Sequence, residues 1–98
     1  MTQEKPIRIL IADDHPVVRR GLSFLINIKA GLELVGEAED GVEAVEKARS
    51  LQPDVIILDI MMPIMDGTET LIHLDKNPRT KDIPVLFLTS LISKREES

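Results

Sequence analysis

Apolar residues in this chain fall into short continuous runs that alternate with helical stripes. Ile7-Arg8-Ile9-Leu10-Ile11-Ala12 is apolar except for Arg8 and predicts a strand. Val18, Leu22, Leu25 and Ile26 then fall at i, i+4, i+7 and i+8, which predicts a helix, and Pro16 suits its first position. Glu33-Leu34-Val35-Gly36-Glu37-Ala38 alternates and predicts a half-buried strand. Val42, Val45, Ala48 and Leu51 recur every three residues and predict a second helix. The run Val55-Ile56-Ile57-Leu58 reads as a strand buried on both faces. Leu71 and Leu74, with Thr68 and Ile72 beside them, predict a third helix ending near Asn77-Pro78. Pro84-Val85-Leu86-Phe87-Leu88 predicts a fourth strand, with its proline tolerated at the start.

This βαβαβαβ order predicts an α/β fold with a parallel sheet and right-handed crossovers. Strands 1, 3 and 4 are apolar nearly throughout, with Arg8 the exception, as strands covered by helices on both faces should be. Strand 2 alternates and is expected at an edge. Open parallel sheets bind ligands beyond the carboxyl ends of their strands, where the strand order reverses. Strand 1 runs into Asp13-Asp14, strand 3 into Asp59, and strand 4 into Thr89-Ser90. If strands 1, 3 and 4 are neighbours, three carboxylates and two hydroxyls meet at one rim.

Composition narrows the classes without naming one. The 98 residues suit one domain, and 43% of them are hydrophobic, enough for a small core. There is no cysteine, which excludes disulfides and thiolate metal sites. The start MTQEKPIRIL lacks the pattern of a signal peptide, and no apolar run approaches the length of a membrane span. A soluble, cytoplasmic protein with no membrane contact is expected. A net charge of −5 and 2% aromatic residues argue against direct nucleic-acid binding.

An aspartate after a strand often only caps the next helix. Asp40 precedes Glu43, Asp66 precedes Glu69 and Ser93 precedes Glu96 at capping-box spacing, so Asp40 and Asp66 read as caps. Asp59 has Met62 at that spacing and its helix begins only near Asp66, so a capping role fits it poorly. Asp14 stands before His15-Pro16, where it could help to start helix 1, and Asp13 could be an ordinary strand-end residue. Gathered acids repel one another. A hard cation such as Mg²⁺ relieves that repulsion and prefers oxygen ligands. It would also let a carboxylate attack an anionic phosphoryl group, a known nucleophile class, with Thr89 placed to hydrogen-bond a phosphoryl oxygen.

Other residues read more plainly. His15 adjoins the acids, and an N-cap position on helix 1 is its simpler reading; His73 is expected on the surface. Met61, Met62 and Met65 read as packing, since thioethers favour soft ions. Arg19-Arg20 reads as a solvated basic spot or a partner contact, and Lys94-Arg95 as a solvated charge run.

The pair Asp13-Asp14, the stretch LDIMMPIMDG around Asp59 and the stretch LFLTS at strand 4, taken together, resemble the receiver domain of two-component response regulators. The resemblance covers essentially all of residues 1–98. It implies a flavodoxin-like, doubly wound sheet of order 2-1-3-4-5 and a signalling switch phosphorylated on Asp59 by a histidine kinase or a phosphotransfer protein. It further implies Mg²⁺ bound directly by Asp14, Asp59 and the backbone carbonyl of Met61, with Asp13 acting through water. Thr89 becomes the hydroxyl that follows the phosphoryl group, and Pro63 and Gly67 match the loop after the acceptor. The module would assist its own phosphorylation without being a turnover enzyme.

The family pattern also has a fifth strand ending in a lysine, and a fifth helix, which residues 1–98 do not include; Lys94 stands in the wrong place to replace that lysine. The expectation is therefore a piece of a longer chain, with an effector domain possible in the parent. A chain ending at Ser98 would instead leave strand 4 as an open edge, inviting a homodimer through strand 4 or the helix 4 region. Two other functions compete: a Mg²⁺-dependent phosphatase or phosphotransferase, and a docking module of receiver fold that works without phosphate. No glycine-rich phosphate loop or second acid–base residue supports the enzyme.

Overall fold

The computed structural model describes residues 5–60, 62 and 66–88. Met61, Pro63, Met65, Thr89, Ser90, Ser93, Lys94, Arg95 and Glu96 lie outside the described residues. The elements are β1 (Ile7–Ala12), α1 (Pro16–Ile28), β2 (Leu32–Ala38), α2 (Gly41–Leu51), β3 (Val55–Asp59), α3 (Gly67–Lys76) and β4 (Val85–Leu88). All strand pairs are parallel, and the sheet order is β2-β1-β3-β4. The predicted alternation of elements and the edge position of β2 are both realised. The strand order reverses between β1 and β3, so their carboxyl ends flank the switch point.

Two apolar layers hold the sheet. Leu10, Ala12, Ile56 and Leu58 pack with Ala44 and Ala48 of α2 and Leu74 of α3 on one face. Ile9 and Ile11 pack with Ile26 of α1 on the other, joined by Leu22, Val55 and Ile57. Helices therefore cover both faces, the doubly wound arrangement. The two predicted caps are in place: Asp40 accepts from the Glu43 amide and Asp66 from the Glu69 amide, each at 2.9 Å. The Glu43 carboxylate reaches back to the Glu39 amide at 2.8 Å, one residue beyond the cap itself. Helix α2 stops at Gln52, whose left-handed backbone (φ 51°) turns the chain. The Gln52 side chain donates to the carbonyls of Ala48 and Arg49.

The structure corrects several faces. In α2 the inward residues are Gly41, Ala44 and Ala48, while Val42 is exposed. In α3 they are Gly67, Thr70 and Leu74, while Thr68 and Ile72 face outward. In α1 Ile26 is buried, but Leu25 is 58% exposed. Strand β4, expected to be covered on both faces, is the sheet edge among the described residues, with Leu86 and Phe87 59% and 42% exposed. The alternation of β2 is interrupted: Ile9 pairs with Leu34 but Leu10 pairs with Gly36, so Val35 is bulged out. One extra residue changes which face the following side chains address. Leu34 accordingly packs on the α1 side and Ala38 on the α2 side.

Candidate functional site

The reversal point gathers the predicted acids. Asp13 follows β1 and is buried, Asp14 is half-buried, and Asp59 ends β3 and is buried. With His15 they form one cluster in which a ligand atom from each residue lies within 4.8 Å of every other. The cap of α3 is Asp66, so Asp59 has no capping duty. Its position is fixed from behind by Gly67, whose amide donates to the Ile60 carbonyl at 2.8 Å. A Cβ at Gly67 would stand 2.6 Å from Ile60 Cα and 2.8 Å from the Asp59 carbonyl oxygen. Only glycine lets the start of α3 approach the end of β3 this closely.

Asp13 and His15 form a tight turn. The His15 amide donates to Asp13 Oδ1 at 2.7 Å, and His15 Nδ1 lies 3.0 Å from the same oxygen. His15 occupies the N-cap position of α1, as the sequence allowed, but its side chain makes no cap bond. The ring turns to the acids instead: Nδ1 is 3.2 Å from Asp14 Oδ1 and 3.7 Å from Asp59 Oδ2. The hydrogen bond to Asp13 and the charge of Asp14 hold the imidazole above its ordinary pKa, outweighing desolvation.

Arg19 was not legible as part of this site. It is largely buried rather than solvated: Nη1 donates to the Asp13 carbonyl at 2.6 Å and Nε to Glu37 at 3.1 Å. It therefore ties the end of β1 to β2. Its one sequence signal is its place one helical turn after His15, whose carbonyl accepts from the Arg19 amide. His73 is exposed, as expected. Thr89 and Met61, two of the predicted site residues, lie outside the described residues.

A cation fits this cluster. The donors are carboxylate oxygens, which suit a hard divalent ion. Asp14 Oδ1 is buried and accepts no hydrogen bond among the described residues. His15 Nδ1 is near it, but the single proton that nitrogen can carry is directed to Asp13.

The sequence model of the response regulator receiver domain matches residues 9–97. The chain is 45% identical over 94 residues to a protein-glutamate methylesterase/protein-glutamine glutaminase of Xanthomonas oryzae pv. oryzae, covering 96% of this chain and 25% of that protein. The response regulator domain of Thermotoga maritima CheB superposes with a TM-score of 0.81 at 41% identity, over 89% of this chain and 63% of that one. The CheX–CheY–BeF₃–Mg²⁺ complex of Borrelia burgdorferi contains a chain similar at a TM-score of 0.78 and 30% identity, over 94% of this chain and 68% of that one. The present chain thus spans a quarter of the methylesterase relative.

Proposed function

The chain belongs to the response regulator receiver domain family, and from that premise we propose that it is a signalling switch phosphorylated on Asp59. The observation that carries this reading is Asp59 itself: a buried carboxylate at the end of β3, facing Asp13 and Asp14 and relieved of any capping role. The donor is a phosphohistidine on a sensor kinase or a phosphotransfer protein. A carboxylate oxygen of Asp59 forms the new P–O bond as the donor P–N bond breaks, and the donor imidazole recovers a proton. The product is an acyl phosphate.

The metal in this reading is Mg²⁺, which Asp14, Asp59 and the Met61 carbonyl would hold directly and Asp13 through water. When bound, it neutralises charge on both the acceptor and the phosphoryl oxygens. The similar Borrelia chain is from a complex that contains Mg²⁺, which supports the choice of a divalent ion. Asp13 positions the turn through its bond to the His15 amide, and Arg19 fixes the Asp13 carbonyl. Thr89 supplies the hydroxyl that meets the phosphoryl group. The domain acts in the cytoplasm; no helix among the described residues is long and apolar enough to cross a membrane. In a longer parent chain the switch would govern an effector domain, as the name of the Xanthomonas relative suggests.

The test is intact-mass measurement after incubation with Mg²⁺ and a small acyl phosphate. A single stable phosphate adduct supports the switch. Turnover of the donor without an adduct would make the site an enzyme, and no change at all would leave a docking module.

A further inference from the structure

Strand β2 holds one residue more than its pairing with β1 requires, and that residue decides which way Glu37 faces. Ile9 pairs with Leu34 and Leu10 with Gly36, which leaves Val35 outside the register. In unbroken alternation from Leu34, which packs on the α1 side, Glu37 would face α2. The bulge pairs Glu37 with Ile11 instead, and Ile11 packs on the α1 side, so Glu37 faces α1. There it meets Arg19, whose Nε donates to Glu37 Oε1 at 3.1 Å. The same guanidinium donates through Nη1 to the Asp13 carbonyl at 2.6 Å. The Asp13 amide donates to the Ala38 carbonyl at 3.0 Å. The turn that carries Asp13 and Asp14 is thus fastened to the end of β2 twice, once through its amide and once through Arg19 and Glu37. From α2, Lys47 donates to the Glu37 carbonyl and fixes the strand end itself.

We propose that Arg19 and Glu37 are a positioning pair for phosphoryl transfer to Asp59: Glu37 aims the guanidinium, and the guanidinium holds the peptide that joins Asp13 to Asp14. This rests on the switch reading above and adds to it the device that orients the acid turn. A peptide is planar, so fixing the Asp13 carbonyl also fixes the plane from which Asp14 departs. Neither member of the pair belongs to the acid cluster. The Glu37 side chain is 41% exposed, and ion pairs open to water add little to stability. What the pair supplies is direction: a planar fork held by two acceptors sets angle as well as distance, which a lysine does not. Bulges beside functional sites commonly re-aim a side chain, and this one re-aims Glu37.

The experiment compares wild type, Arg19→Ala, Arg19→Lys, Glu37→Ala, the double variant Arg19→Ala/Glu37→Ala, and Glu39→Ala, each as the 98-residue protein. Three quantities are measured: Mg²⁺ affinity by calorimetry, the rate of adduct formation with a small acyl phosphate at saturating Mg²⁺, and the urea midpoint without Mg²⁺. The midpoint identifies the variants that are folded under the labelling conditions. Arg19→Ala and Arg19→Lys are expected to label about 10-fold more slowly, with weaker Mg²⁺ binding. Glu37→Ala should label more slowly than wild type, yet add no further loss to Arg19→Ala, because it acts through the guanidinium. Glu39→Ala removes a like charge 4.0 Å from Arg19 Nη2 and should label at the wild-type rate. If Arg19→Ala does not fold, Glu37→Ala against Glu39→Ala decides alone. Equal slowing by those two, full activity of Arg19→Lys, or a loss seen only in the urea midpoint overturns the proposal and leaves the switch reading standing. Wild type that takes up no phosphate overturns both.

Discussion

At the scale of single residues, the three aspartates are distinguished by what else each one does. Asp59→Asn keeps the size of the side chain and removes the nucleophile. Adduct formation from a small acyl phosphate should disappear, read by intact mass; a labelled Asn variant would place the phosphate elsewhere. Asp14 and Asp40 form a matched pair, since only Asp14 belongs to the cluster and only Asp40 caps α2. Asp14→Ala should weaken Mg²⁺ binding at least tenfold. Asp40→Ala should leave it unchanged and cost roughly 1 kcal/mol of stability from the lost cap. Equal weakening by both would mean that the ion is held by diffuse surface charge. Glu43 gives the pH signature. The Glu39 amide first, and Lys47 second, hold its carboxyl below its ordinary value of 4.5. A depressed carboxylate stabilises the fold above its unfolded pKa, and that contribution is lost as pH falls through the lowered folded value. Denaturation of wild type and Glu43→Gln should therefore differ most at neutral pH and converge on the acid side of 4.5.

At the scale of elements, the close contact between the start of α3 and the end of β3 sets where Asp59 sits. Gly67→Ala places a methyl against backbone atoms of Ile60 and Asp59 that cannot rotate away. It should cost about 1–3 kcal/mol in denaturant unfolding and slow acceptor labelling, because the strand end must shift. Unaltered stability and labelling would show that the loop yields freely. This glycine was legible only through the motif around Asp59, because its reason is a long-range contact rather than a local conformation. The elements were legible because runs and stripes report burial directly, and the caps because Asp and Glu at fixed spacing act locally. The helix faces were less so. Val42 looks more like a core residue than Ala44, but α2 packs close to the sheet, and small residues sit at the contact. The bulge at Val35 was invisible, since Leu34 and Ala38 are four residues apart, which in a regular strand is one face, and only the pairing with β1 shows the slip. His15 and Arg19 acquired their roles from three-dimensional neighbours, Asp59 and Glu37, that sequence spacing does not bring together.

For the whole molecule, the site and the stability are joined by topology. The acids extend from β1 and β3, the two central strands, and each strand contributes to both apolar layers. Central strands separate only when the layers on both faces come apart, so they open at or near the free energy of global unfolding. An ion held between the turn after β1 and the end of β3 would bind only the folded state, because only the folded state brings these acids together, and its binding would therefore appear as stability. For a ligand specific to the folded state, the gain at a concentration 100 times the Kd is about 2.7 kcal/mol. Urea unfolding with saturating Mg²⁺, compared with unfolding in a chelator, should show a gain of that order, reversed when the chelator is added back. Asp14→Ala should abolish most of it at the same Mg²⁺ concentration, while Asp40→Ala should lose stability equally in both conditions and retain the gain. A Mg²⁺ gain that survives Asp14→Ala would place the ion away from the junction of β1 and β3, and the central strands would then hold the acids together without a cation's help.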